Sequence, residues 1–214
     1  MALILTADYL VPNATSLNTK NNSQSVIDHS KFDSPGSSRY YYEGWFFIIN
    51  NQKTYTENIL FNRGTDFIVT LKGSTLNLYV NGGDSSKIDK DKGIYDSGGV
   101  TPLISIPQFP FQKWAQLVIN VDALSVDLYI DGKFVQNKIN DKTIGSTTET
   151  PITYGNKFTI GKFAQFKRPA ESINPQGVWN HYIRGSGQDQ SLTNYHLNAV
   201  VTKNSRQLMD KRLV

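Results

Sequence analysis

Residues 113–136, KWAQLVINVDALSVDLYIDGKFVQ, decide how the rest of the chain is read. Leu117, Ile119 and Val121 fall on one side of an extended segment, and Leu124, Val126, Leu128 and Ile130 continue the two-residue period. Asp122-Ala123 interrupts the runs briefly enough for a hairpin. Asp131-Gly132 is a stronger turn signal, because both positions tolerate the positive φ of a type I′ turn. Phe134-Val135 opens a third run. The opposite face carries Gln116, Asn120, Ser125, Asp127 and Asp131, so the stretch predicts an antiparallel meander with one packed and one wetter face.

Upstream, Tyr40 to Asn50 forms a long aromatic strand, expected to be central. Ile59–Phe61, Asp66–Leu71 and Thr75–Val80 follow, each separated by turn residues such as Asn62-Arg63-Gly64 and Lys72-Gly73. Runs arriving about every 8–12 residues suit a sandwich or barrel. Residues 81–100 are a polar, glycine-rich surface loop, and residues 101–112 are rich in proline. Downstream, Lys157–Phe163 predicts another strand and Tyr195–Thr202 a terminal one. A short helix is expected between them: Asn174 as N-cap, Pro175 at the first helical position, and Gly185 as the stop. The pairs Val178/Tyr182 and Trp179/Ile183 would turn two aromatics toward the core.

A chain of 214 residues suits one domain with a core of its own. It has no cysteine, so disulfides and cysteine nucleophiles are excluded. The net charge of +4 is mild, and Lys203, Arg206, Lys211 and Arg212 look like a solvated tail, so no nucleic-acid patch is expected. No apolar run nears the roughly 18 residues of a membrane span. Residues 12–38, rich in Asn, Ser and Thr, show little periodicity. A polar arm over residues 1–38 and a sandwich over 39–214 are therefore expected.

Enzymatic patterns are sparse. The glutamates are Glu43, Glu57, Glu149 and Glu171, and none has a second carboxylate two or four residues away, as a sandwich glycosidase strand would require. His29, His181 and His196 lack metal-ligand spacing, and His181 falls on the expected solvent side of the helix. Calcium is the one ion the chain suits, through Asn81, Asp84, Asp89, Asp91 and Asp96, although Lys87, Lys90 and Lys92 interleave with them. No other cofactor is called for. Tyr40, Tyr42, Tyr79 and Tyr129 are candidates to stack on sugar rings from an exposed strand face; the competing reading has them covering the neighbouring layer.

Trp114, the run LVINVDALSVDLYIDGKFV and the later FTIGKF resemble the concanavalin A-like lectin/glucanase superfamily, in particular its laminin G-like branch. Tyr129-Ile130-Asp131-Gly132 matches that branch's strand-linking turn, and Tyr42 to Ile49 matches its early aromatic strand. The resemblance spans roughly residues 39–185 and implies an all-β jelly-roll sandwich of two antiparallel sheets with a short helix near the C-terminus. Phe166 to Gly187 is similar to laminin G-like proteins of large double-stranded DNA viruses, many of which carry an N-terminal anchor not seen here. That likeness implies a non-enzymatic minor capsid protein in the virion, touching other capsid proteins through its arm and loops. The alternative is an extracellular carbohydrate-binding module, with loop 81–100 and the tyrosines forming the glycan site.

Overall fold

In the computed structural model the central stretch does form a three-stranded meander at one edge of a sheet. The structure describes residues 9–18, 24–80, 85–144, 149–186, 197–203 and 206–213. In chain order the strands are β1 (Thr15–Ser16), β2 (Ser25–Ile27), β3 (Arg39–Asn51), β4 (Glu57–Arg63), β5 (Phe67–Lys72), β6 (Thr75–Val80), β7 (Ile88–Asp89), β8 (Ile94–Tyr95), β9 (Ile104–Ile106), β10 (Trp114–Asp122), β11 (Ser125–Ile130), β12 (Lys133–Ile139), β13 (Ile152–Tyr154) and β14 (Thr159–Lys167). Helix α1 (Pro175–Ile183) follows, then β15 (Leu197–Lys203) and β16 (Arg206–Leu213).

Two antiparallel sheets result. One is six-stranded, in the order β1-β14-β3-β10-β11-β12; the other runs β2-β13-β4-β5-β6-β9, with β8 joined to β4 and β7 to β8. The aromatic strand β3 is central, between β14 and β10. Tyr40, Tyr42, Phe46 and Ile48 of β3 meet Leu117, Ile119 and Val121 of β10, and Phe61, Phe67, Val69 and Leu78 of the second sheet close over them. Each such side chain, buried completely, contributes about 1.5–3 kcal/mol by leaving water. The β11–β12 turn has Asp131 at φ 51° and Gly132 at φ 74°, the double positive φ that its sequence predicts.

Three expectations need correction. The polar stretch before residue 38 is not a free arm where it is described: β1 pairs with β14, β2 pairs with β13, and Leu17, Ile27 and Phe32 are buried in the core. Strands of two and three residues are too short to display a period, so they could not be seen in the sequence. The terminal strand β15 pairs with β16, carrying the expected basic tail, and joins neither large sheet. Finally, the wetter face of the meander is not wet at its centre, because Gln116 and Asn120 are buried.

Candidate functional site

That face is buried because α1 lies across it. Alternation along β3 turns Tyr41, Glu43, Trp45 and Phe47 away from the core, opposite Tyr40, Tyr42, Phe46 and Ile48. The register sets Glu43 against Val118, Trp45 against Gln116 and Phe47 against Trp114. The helix starts as its sequence predicts: the Asn174 side chain accepts a hydrogen bond from the Gly177 amide at 2.7 Å, and Gly185 turns the chain out at φ 75°. Val178 is buried against Tyr41, Val118 and Tyr129, and the Ile173 amide donates to Asn120 Oδ1 at 3.0 Å. Gly132 lets the helix come close. A Cβ there would sit 2.9 Å from both Trp179 and Tyr182.

Beneath the helix is a charged clamp. The Glu43 side chain, 5% exposed, has Oε2 at 2.8 Å from His181 Nδ1 and 3.1 Å from Lys167 Nζ, while Gln116 Nε2 donates to Oε1 at 2.9 Å. With Nδ1–H of His181 aimed at the carboxylate, Lys167 at 3.5 Å from that nitrogen interacts with it by charge alone. Burial works to raise the Glu43 carboxyl, but the His181 hydrogen bond and the Lys167 charge outweigh it and hold the group below its ordinary value. His181 is therefore no solvated histidine. It ties α1 to the sheet.

The helix separates two grooves. One, of about 590 Å³, is charged and is lined by Lys31, Asp33, Lys167, Arg168, Glu171 and His181 among others. The other, of about 600 Å³, is aromatic, lined by Trp45, Phe47, Gln112, Trp114, Asp131 and Tyr182 among others. Here the Trp45 and Tyr182 rings stack at 5.8 Å and 15°, and Phe47 packs against Trp114 at 5.5 Å. Trp179, 42% exposed, extends the aromatic surface beside Tyr182 at 5.6 Å. Asp131 is held in place, accepting from the Gln116 amide at 3.0 Å and from Lys113 Nζ at 2.7 Å. Ring faces supply broad apolar contact, and the amide and carboxylate supply directional hydrogen bonds.

The residues singled out from sequence lie elsewhere. Tyr40 and Tyr42 are core residues, Tyr79 packs edge-on against Tyr95 at 4.9 Å, and Tyr129 lies under α1; all four are 3% exposed or less, so none presents a face to a sugar. The competing reading holds for them: each covers a neighbouring layer. Of the calcium candidates, Asn81 and Asp84 fall outside the described residues. Asp89 pairs with Lys92 Nζ at 2.7 Å, Asp96 accepts from the Gly98 amide at 3.0 Å, and Asp91 is exposed. Among the described residues no three acids or histidines gather to hold a metal. The clamp and the aromatic groove were both missed. Glu43 within an otherwise aromatic run was the available signal, since a lone charge mid-strand needs a partner.

No family model matches the chain, and no curated protein does. Solved structures do. The botulinum neurotoxin serotype G binding domain matches with a TM-score of 0.57 and 18% identity, over 86% of this chain and 44% of that one. The binding domain of botulinum neurotoxin DC in complex with SialylT matches at 0.59 and 9%, over 80% and 41%. The same toxin's domain in complex with rat synaptotagmin II matches at 0.52 and 13%, over 68% and 35%. The chain spans 35% to 44% of the length of these structures. At such identities the likeness shows the β-sandwich fold. No helix of the described residues is long and apolar enough to cross a membrane.

Proposed function

We propose that this sandwich is a non-enzymatic carbohydrate-binding module whose site is the aromatic groove beside the C-terminal end of α1. One observation carries it: the rings of Phe47, Trp114 and Tyr182 line an open groove of about 600 Å³ together with Gln112 and Asp131, with the buried Trp45 stacked behind Tyr182. Pyranose rings have an apolar face that stacks on aromatic rings and a rim of hydroxyls that needs polar partners, and this groove supplies both. Binding domains among the structural neighbours support a binding role at the level of the fold, where fold alone does not choose a ligand. A glycosidase reading lacks support. Among the described residues the two buried carboxylates, Glu43 and Glu57, stand on different sheets, and Glu43 is used up under the helix.

The minor-capsid reading is weakened by the same geometry. It gave the contacts with neighbouring subunits to the arm and the loops, and within that arm β1 and β2 are paired into the two sheets. A glycan array with the intact chain tests the proposal. Binding to a sugar class is expected, with Trp114→Ala weakening it about tenfold or more, as loss of one stacked ring from a hot spot does. Binding that Trp114→Ala leaves unchanged would move the site elsewhere.

A further inference from the structure

Half of the large apolar side chains that stand exposed among the described residues belong to two neighbouring elements. On α1 they are Trp179 and Ile183; on the edge strand β12 they are Phe134, Val135 and Ile139. The two elements lie side by side, with Trp179 resting on the Gly132 turn that leads into β12. Trp179 and Ile183 are four residues apart and so share one side of the helix. Register places Phe134 opposite Tyr129 and Ile139 opposite Ser125, and Tyr129 and Ser125 are themselves four apart on β11. Both β12 side chains therefore point to the face that α1 occupies. Phe134 meets Tyr129 edge-on at 5.6 Å. Together they make one apolar ledge along the flank of the helix and the edge of the sheet.

An apolar ledge of this kind is unfavourable in water and marks a contact surface, and its charges say with what. Neither α1 nor β12 contains an acid. Lys133 and Lys138 on β12 and Arg184 at the end of α1 all stand exposed. The acids on neighbouring β11 and its turn are engaged: Asp127 accepts from Asn137 Nδ2 at 2.6 Å, and Asp131 from Lys113 Nζ at 2.7 Å. The ledge is thus apolar, flanked by cations, and free of an opposing charge of its own.

A second copy meeting it across a two-fold axis would set Lys133, Lys138 and Arg184 against their own kind. An anionic bilayer answers both features. Trp, Phe and Ile side chains settle at the boundary between headgroups and acyl chains, while lysines and arginines meet the lipid charges. The net charge of +4 favours the same encounter. We propose that the ledge formed by α1 and β12 is a peripheral membrane-binding surface, docking edge-on to anionic lipid. Phe134, Ile139, Trp179 and Ile183 enter the headgroup boundary, with Lys133, Lys138 and Arg184 beside them. The contact is interfacial and does not rest on the glycan reading of the aromatic groove.

Co-sedimentation of the full chain with vesicles of phosphatidylcholine, alone or with about one quarter phosphatidylserine, tests the proposal. Binding to the anionic vesicles, weakened by added salt, is expected, with a blue shift of tryptophan emission that Trp179→Phe removes. The double variant Phe134→Ser/Ile139→Ser, at positions 57% and 71% exposed, should weaken binding about tenfold with an unchanged melting temperature. Lys133→Glu/Lys138→Glu should weaken it by about as much. Failure to bind anionic vesicles overturns the proposal. So does binding that the lysine variant weakens and the Phe134→Ser/Ile139→Ser variant leaves unchanged, which is adsorption by charge alone. Self-association abolished by the Phe134→Ser/Ile139→Ser variant, without vesicle binding, would give the ledge to a second copy instead. Glycan binding by that variant should be unchanged, so the two proposals fail separately.

Discussion

Glu43 and Glu57 are the two buried carboxylates of the described structure, one on each sheet, and they are satisfied in opposite ways. Glu43 sits between Lys167 and His181, beneath a helix, with its closest cation only 8% exposed. Glu57 is held by neutral donors, Thr70 and Asn77, and its one cation is half in water. A carboxylate that neutralises a buried cation is part of the scaffold. One held by amide and hydroxyl groups belongs to a neutral network, and its cation stays largely in water.

The sharpest way to break the comparison is Glu43→Gln. It strands Lys167 as a buried charge, and a loss of about 3–5 kcal/mol in denaturant unfolding is expected. A loss under about 1 kcal/mol would show that the clamp is dispensable. Next in size is an acid limb. The Glu43 carboxyl is held below its ordinary value, so its stabilisation is complete above the unfolded carboxyl pKa of about 4.3 and disappears as pH falls through the lower folded value. Thermal melts from neutral to strongly acid pH should fall more steeply for the wild type than for Glu43→Gln; parallel curves would remove Glu43 as a source of acid sensitivity. The smallest effect belongs to Glu57→Gln. The amide oxygen can keep the bonds from Thr70 and Asn77 that Oε2 accepts, while the loose ion pair and the long 3.3 Å bond from Asn77 to Oε1 are lost, so the stability change should stay near about 1 kcal/mol. A larger change would make Glu57 scaffold as well, and the two carboxylates would cease to differ.

Much of the fold was legible because sheets repeat every two residues and the turns between them need particular backbone angles. The alternation from Leu117 to Ile130, the Asp131-Gly132 turn, and Asn174-Pro175 with Gly185 each predicted their element from local chemistry, and each formed. The site was less legible. In Tyr40-Tyr41-Tyr42 every residue is aromatic, so composition cannot say which ring faces the core; only the pairing of β3 with β10 sets that phase. His181 looked solvent-facing because its partner lies 138 residues away, on a strand over which α1 folds back. The same docking covers Gln116 and Asn120, whose alternation had marked a wet face.

By itself, then, the sequence determined an antiparallel sandwich, its central strand and its late helix, because those follow from propensities and periods within a few neighbouring residues. Tertiary structure decided the rest: that β1 and β2 pair into the sheets while Leu17, Ile27 and Phe32 enter the core, that the candidate tyrosines are buried, and that α1 separates two grooves. Those outcomes depend on which face another element covers. A period states that a strand has two faces, and only packing states which of them meets water.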